Sequence, residues 1–276
     1  MMRRGHTART VLLATLFVAV GAIAIVAFGR RTSDGEPTLG VEWVQSRNGV
    51  VALSVEPYGP AADAGLLPGD RLLRVDGRAV GSYLDAGALA WDLDTDRPAR
   101  LEIDRDGRAL GLDVRPVRRR SVPNVYGYLA LVGAAFLASG AFVALRWPAT
   151  RGATLYGLLG TAMAAWLVAS PTGRADPFDW VVHIVDVVGA SLAPALMIHL
   201  AIALSRRTVP VRGLTIVAAY LPAVALTAGA FWIEGLGGAY RFPEPPLAVT
   251  GLDQSQLLFL AVSVVLAFAV LSRSHA

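Results

Sequence analysis

The side chains with the greatest chemical reach in this sequence stand in an otherwise apolar stretch. His183 and Asp186 are three residues apart, which on a helix puts them on one face, one turn apart. Ionisable groups inside an apolar segment mark functional sites by default, and an imidazole beside a carboxylate is a pH-sensitive pair. The bland reading is that Asp186 lies only about 8 Å below the start of a span opening at Val181, at 1.5 Å per residue, where water reaches it. His199 follows 13 residues later, roughly 220° further round the helix, and so points elsewhere. None of the usual catalytic spacings is complete around these groups. A zinc-hydrolase helix needs His-Glu-x-x-His, so that two imidazoles share a face beside a carboxylate base, but His183 is followed by Ile184. A Gly-x-Ser-Gly serine site would fall on Gly189-Ala190-Ser191-Leu192, which lacks the last glycine. P-loop, kinase and dinucleotide-binding glycine patterns are missing too. With no cysteine in the chain, disulfides, cysteine-zinc sites and thiol nucleophiles are excluded. The expectation is a chain that binds rather than catalyses, with no metal and no cofactor.

The elements that would position His183 and Asp186 are membrane helices. The 276 residues are 54% hydrophobic and 17% charged, against about 25% charged in an ordinary soluble domain. The charge is uneven: residues 30–120 are rich in Arg and Asp, while 124–272 hold very few charges. A span needs about 20 apolar residues. Val11–Phe28 is the first candidate, and it follows Arg3, Arg4 and Arg9. A cleaved signal peptide is the alternative, but the stretch is long for one and Val26-Ala27-Phe28 is a poor small-x-small cleavage site. Further candidates are Val125–Leu145, Ala153–Ala169, Val181–Leu204, Leu214–Ile233 and Leu257–Leu271. The last is short and is expected to begin nearer Leu252 or Ser255. Short connections predict an antiparallel up-down bundle of five helices after the N-terminal anchor. Trp180 and Trp232 fit the interfacial belt.

Every basic residue is arginine, since the chain has no lysine, a composition associated with GC-rich bacterial genomes. With a cytoplasmic N-terminus, Arg3, Arg4, Arg9, Arg146, Arg151, Arg206, Arg207, Arg212 and Arg273 all fall inside. The short outer loops keep only Arg174 and Arg241, beside Asp176, Asp179, Glu234, Glu244 and Asp253. That is the positive-inside pattern. Arg30, Arg31 and Arg118–Arg120 oppose it, but long translocated domains obey the rule weakly. The net charge of +4 therefore reads as membrane orientation, not as nucleic-acid binding.

Between the first span and the rest lies a polar segment with strand alternation. Val41–Gln45 and Val50–Glu56 are β-rich, and Arg71–Val75 and Leu101–Asp104 alternate apolar with polar. Asp76-Gly77 and Asp106-Gly107 are hairpin turns. Pro60–Gly65 is one helical turn closed by glycine. Ser82 and Asp85 form a capping box for a helix reaching Leu93, on which Leu84, Ala88 and Trp91 share a face. Val55-Glu56-Pro57, Pro60-Ala61-Ala62, Ala64-Gly65-Leu66, Pro68-Gly69-Asp70, Leu72 and Val75-Asp76-Gly77 together resemble the core signature of bacterial PDZ domains. The resemblance extends over 38–117. It implies a carboxylate-binding loop at Thr38-Leu39-Gly40-Val41, in the permuted bacterial order, with the closing strand near Asp113–Val117. Glycine at 40 lets successive N–H groups converge into a nest for a carboxylate. Val41–Gln45, with Glu42 and Trp43, offers an edge for strand addition, and the Ser82–Leu93 helix walls the groove through Tyr83, Ala86 and Leu89. A PDZ fold serving only as a spacer or dimer contact is the competing reading.

The expected class is thus a membrane protein with a small β-rich (α+β) PDZ-like domain and an all-α transmembrane bundle. Its parts are a basic N-terminus (1–10), a first transmembrane helix (11–29), a linker (30–37), the extracytoplasmic domain (38–117), a linker (118–124), a five-helix transmembrane domain (125–272) and a cytoplasmic tail (273–276). The layout, with Leu192-Ala193-Pro194-Ala195-Leu196, His199-Leu200 and Tyr220-Leu221-Pro222, is similar to the input region of ComP-type bacterial sensor histidine kinases. That likeness implies a sensory module in the bacterial inner membrane. Its PDZ domain would be periplasmic or extracellular and would bind a peptide or protein C-terminus, passing the signal through the bundle. A kinase or phosphatase output domain would lie beyond Ala276 or on a cytoplasmic partner, and homodimerisation is a further expectation. The alternative is a membrane-anchored adaptor presenting substrates or partners to a protease or secretion complex.

Overall fold

The computed structural model describes residues 2–33, 36–119, 124–150, 152–172, 176–205, 212–235 and 245–272. Of the arginines used for orientation, Arg120, Arg151, Arg174, Arg206, Arg207, Arg241 and Arg273 lie outside the described residues, as does Glu244.

The chain begins with a long helix, α1 (Met2–Ser33), and passes into a small domain. There β1 (Glu36–Thr38) precedes β2 (Val41–Ser46), β3 (Gly49–Val55), a one-turn helix α2 (Pro60–Asp63), β4 (Arg71–Val75), β5 (Arg78–Ala79), α3 (Tyr83–Trp91), β6 (Ala99–Arg105), β7 (Arg108–Val114) and β8 (Val117–Arg119). The main sheet is antiparallel in the order β2-β3-β4-β6-β7, with β5 hanging on β4. Its apolar face closes on Val50, Ala52, Leu66, Leu72, Leu101, Ile103 and Val114, joined by Ala86 and Leu89 from α3. Such burial is the main force holding a domain of this size.

Two strands were not expected from the sequence. β1 and β8 pair antiparallel, Glu36 opposite Arg119 and Thr38 opposite Val117, in a separate two-stranded ribbon. This ribbon zips together the two chain segments that join the domain to α1 and α4. The closing strand expected near Asp113–Val117 is instead divided between β7 and β8. Pro116 sits at the break and has no N–H to give to a ladder. The groove helix ends at Trp91, short of Leu93, but its start is as read: Ser82 Oγ accepts from Asp85 N–H, and the Asp85 carboxylate accepts from Ser82 N–H.

Five more helices follow: α4 (Asn124–Arg146), α5 (Ala153–Val168), α6 (Pro177–Leu204), α7 (Arg212–Ala230), ending in a π-helical turn Phe231–Gly235, and α8 (Pro245–Ser272). Among the described residues, five segments are long and apolar enough to cross a membrane: Ala8–Thr32, Val125–Arg146, Pro177–Leu204, Gly213–Ile233 and Thr250–Ser272. α5 is shorter at 16 residues, about 24 Å at 1.5 Å per residue against a hydrocarbon core of about 30 Å. The last apolar segment begins at Thr250, earlier than Leu257 and near the Leu252 expected from the sequence. Its helix starts earlier still, at Pro245, since proline is at home in a first turn, where its missing N–H has no partner to lose.

Helix α6 is the centre of the bundle: 67% of its apolar window is buried, against 11% for α8. The α4–α5–α6 contacts run through small residues. A Cβ on Gly189 would stand 2.7 Å from the Ala162 carbonyl oxygen, and one on Gly160 would meet the Phe136 carbonyl. Backbones approach this closely only over glycine, the packing mode of membrane helices. α1 lies along α4 and α5, with Leu13 and Phe17 packed on Ala144.

Candidate functional site: an open strand edge beside a carboxylate-type loop

The loop between β1 and β2 is fixed by its carbonyls. Leu39 C=O accepts from Ala61 N–H at 3.0 Å, and Gly40 C=O accepts from Glu56 N–H at 2.8 Å. With both carbonyls committed to the body of the domain, the loop amides turn the other way. Gly40 holds φ +72°, in the left-handed region that costs side-chain-bearing residues energy. A Cβ there would also lie 3.3 Å from Glu56. The Gly40 N–H donates to Thr38 Oγ1 at 3.0 Å, so a hydroxyl oxygen holds the place that a ligand carboxylate oxygen could take.

From this loop β2 runs out as an edge strand. β3 pairs with one side of it, and among the described residues no strand pairs with the other. An edge with no second strand on it is the place where an extended peptide can be added to a sheet. A register shift between Glu42 and Trp43 bends the strand near its start. Val41 and Trp43 are partly buried against the core, Leu39 is buried within it, and Glu42 is exposed, accepting from Ser54 Oγ at 2.9 Å. Helix α3 packs against β1 and β2. Its Ala86 and Leu89, read as groove wall, are 4% and 8% exposed and belong to the core under the loop and strand. The side chain of Tyr83 lies outside the described residues.

Two ion pairs brace this arrangement, and neither partner arginine was singled out in the sequence. Asp70 is 2% exposed and accepts from Arg105 Nε at 2.7 Å, Arg105 Nη2 at 2.6 Å and Leu67 N–H at 2.8 Å. Burial acts to raise the Asp70 pKa, but the Arg105 and Leu67 hydrogen bonds outweigh it and hold the carboxyl below its ordinary value. Arg105 also donates to Gly65 C=O at 2.7 Å, so one guanidinium ties the Gly65–Asp70 turn to β6. Behind the Thr38–Val41 loop, Arg119 of β8 pairs with Glu56 at 2.5 Å, and the hydrogen bond to Glu56 pushes the Arg119 pKa up. Glu56 is therefore the residue through which the ribbon touches the loop. Alternating charge near Asp106-Gly107 could have flagged Arg105, whereas nothing local in the sequence links residues 56 and 119.

The outer ends of the helices are held by a polar cluster. Arg30 donates to Asp176 at 2.9 Å and lies over the Phe178 ring. Arg31 donates to Ser170 Oγ at 2.8 Å and to Pro171 C=O at 2.9 Å, and lies over Tyr126. Asp176 caps α6 through Asp179 N–H at 2.8 Å. That bond, ahead of the Arg30 guanidinium, holds the Asp176 pKa down against burial. These contacts place the end of α1, the start of α4, the end of α5 and the start of α6 on one side of the bundle, where the small domain is attached.

Of the polar residues expected within the helices, His183 packs edge-on against Trp180, ring centroids 5.9 Å apart, and Asp186 lies one turn further along α6. Because α6 opens at Pro177 rather than Val181, the two stand about 9 and 14 Å from the helix start. His199 does point elsewhere: its Nδ1 is 3.2 Å from the Tyr220 hydroxyl of α7. Nothing local in the sequence links residues 199 and 220, because their contact depends on how α6 and α7 cross.

Residues 37–115 match the PDZ domain family, and this segment is a PDZ domain. Two curated relatives share it. One is a predicted zinc metalloprotease of Rhizobium meliloti (strain 1021), 32% identical over 107 residues, or 39% of this chain and 24% of the relative. The other is the magnetosome formation protease MamE of Paramagnetospirillum magneticum (strain ATCC 700264 / AMB-1), 37% identical over 90 residues, 32% of this chain and 12% of the relative. The chain thus corresponds to a quarter or less of the length of these relatives. Solved structures with a similar segment include the HtrA-type protease AlgW with a decapeptide, 24% identical over 32% of this chain and 30% of that one, with a TM-score of 0.30. Another is the HtrA3 PDZ domain bound to a phage-derived ligand, 20% identical over 29% of this chain and 85% of that one, with a TM-score of 0.27.

Proposed function

We propose that this protein is a membrane-held receptor for protein or peptide C-termini, and that it acts by binding rather than by catalysis. The observation that carries this reading is the junction of the Thr38–Val41 loop with the open edge of β2. The loop amides receive the terminal carboxylate, the β2 edge receives the peptide backbone as an added strand, and α3 closes the far side. The bundle is the receiver of the binding event, and the PDZ domain stands on the periplasmic or outer face of the bacterial inner membrane. Support for that orientation comes from Arg9 and Arg146, which lie at the bundle ends away from the domain.

A second reading has specific support. The PDZ-bearing relatives are named as proteases, which favours an adaptor that holds substrate C-termini for a separate protease. Both readings require the same groove. Panning the full chain in nanodiscs against a C-terminal peptide display library tests it. Enrichment of a consensus C-terminus, lost in Gly40→Trp, is the expected result; a library that enriches nothing over empty nanodiscs contradicts both readings. Co-purification with a membrane protease, retained by the intact chain and lost in Gly40→Trp, would favour the adaptor.

A further inference from the structure

The edge strand of the groove has a neighbour from the membrane part. Helix α8 packs against β2, and only its outer end can do so. Leu252, near the start of α8, is buried with Val187 of α6 and Ala230 of α7. Val270, near its end, packs beside Ile198 and Ile202, far along α6. The start of α8 is therefore level with the start of α6, whose Asp176 is paired with Arg30 just below the PDZ domain. The helices α2 and α3 belong to the domain itself, whereas α8 is a long apolar helix of the bundle that is brought to β2.

Two features make this helix movable. Only 11% of its apolar window is buried, the least of the five long apolar segments, and its main partner is α6, with smaller contacts to α7. A helix held on one flank can tilt without opening a packed core. It also rests against the π-helical turn Phe231–Gly235 that ends α7. Such turns are rare and frequent at functional positions.

We propose that the outer end of α8 competes with an incoming C-terminal peptide for β2, so that strand addition displaces α8 and is read by the bundle as a change in its position. This rests on the groove binding peptide as proposed above. Strand addition brings a new backbone to about 4.8 Å from β2, and α8, a helix about 10 Å across, already stands in contact with that strand. The ligand-free chain therefore holds α8 on β2, and the liganded chain releases it.

The absence of cysteine gives a clean test. In the full chain in nanodiscs, Val44→Cys on β2 is combined with a single cysteine at each position from 245 to 250, with Ser46→Cys as the alternative where Val44→Cys disturbs the strand. A pair joining Arg108→Cys on β7 to the same α8 positions is the control. At least one β2 pair should crosslink at least tenfold faster than its control. The crosslinked chain should bind a panned C-terminal peptide at least tenfold more weakly than after reduction, and saturating peptide should slow crosslinking by a similar factor. Equal affinity of the oxidised and reduced chains, or crosslinking no faster than the control, overturns the competition while leaving the receptor reading intact. A parent chain that binds no panned peptide overturns the receptor reading itself, whatever the crosslinking shows.

Discussion

The chemistry of the groove comes down to Thr38, Gly40, Glu56 and Asp70. Gly40 is held at positive φ with its carbonyl on Glu56 N–H, so a side chain there strains the loop and pushes on Glu56. Gly40→Val should weaken C-terminal peptide binding at least tenfold by fluorescence titration, while the domain still folds, because the core lies elsewhere. Thr38 acts differently. Its hydroxyl accepts from Gly40 N–H, and a terminal carboxylate bound as proposed would displace it. Asp70 does no binding but sets the shape of the turn behind the groove. Its pKa lies below the ordinary 3.8, so its stabilisation is complete above about pH 4 and is lost as pH falls through the depressed value. Asp70→Asn should therefore cost about 2 kcal/mol at pH 7, the scale of a hydrogen bond to a charged group. The gap from the parent should narrow in melts of residues 36–119 as pH falls below 3.8 and through the depressed value. A gap that does not change as the carboxyl is titrated contradicts this account of Asp70.

At the scale of elements, α3 depends on its cap. Ser82→Ala removes one half of the reciprocal Ser82–Asp85 box and should cost about 1 kcal/mol, seen as faster hydrogen exchange along Tyr83–Trp91. In the bundle, Gly160→Leu drives a side chain into the Phe136 backbone. It should destabilise the α4–α5 pair by about 1–3 kcal/mol or more, lowering the melting temperature in detergent, whereas Leu131→Phe on the exposed face of α4 should leave it unchanged. What the sequence made legible follows from local rules. Period-two alternation revealed β4 and β6, the Ser82–Asp85 spacing revealed the start of α3, and long apolar runs revealed most of the helices. What it hid was non-local or weakly periodic. β1 and β8 are three residues each, too short for any pattern, and they pair across the whole domain. The His199–Tyr220 contact depends on how α6 and α7 cross. Helix α8 began early because Pro245 and Pro246 read as a loop when they are a helix's first turn.

Across the whole molecule, the PDZ domain is not loosely tethered. Its two connecting segments are zipped by the β1–β8 ribbon, the Arg30 and Arg31 cluster gathers four helix ends beneath it, and α8 reaches β2. The domain is thus joined to the helices at more than one place. The proposed receptor function requires that the groove recognise a chain terminus. The most direct measurement is the affinity of the full chain in nanodiscs for one panned peptide in two forms, with a free C-terminal carboxylate and with that terminus amidated. The account predicts saturable binding of the free acid and at least a tenfold loss on amidation, with Gly40→Val abolishing the difference. Equal binding of the two forms, or binding of neither, would contradict it.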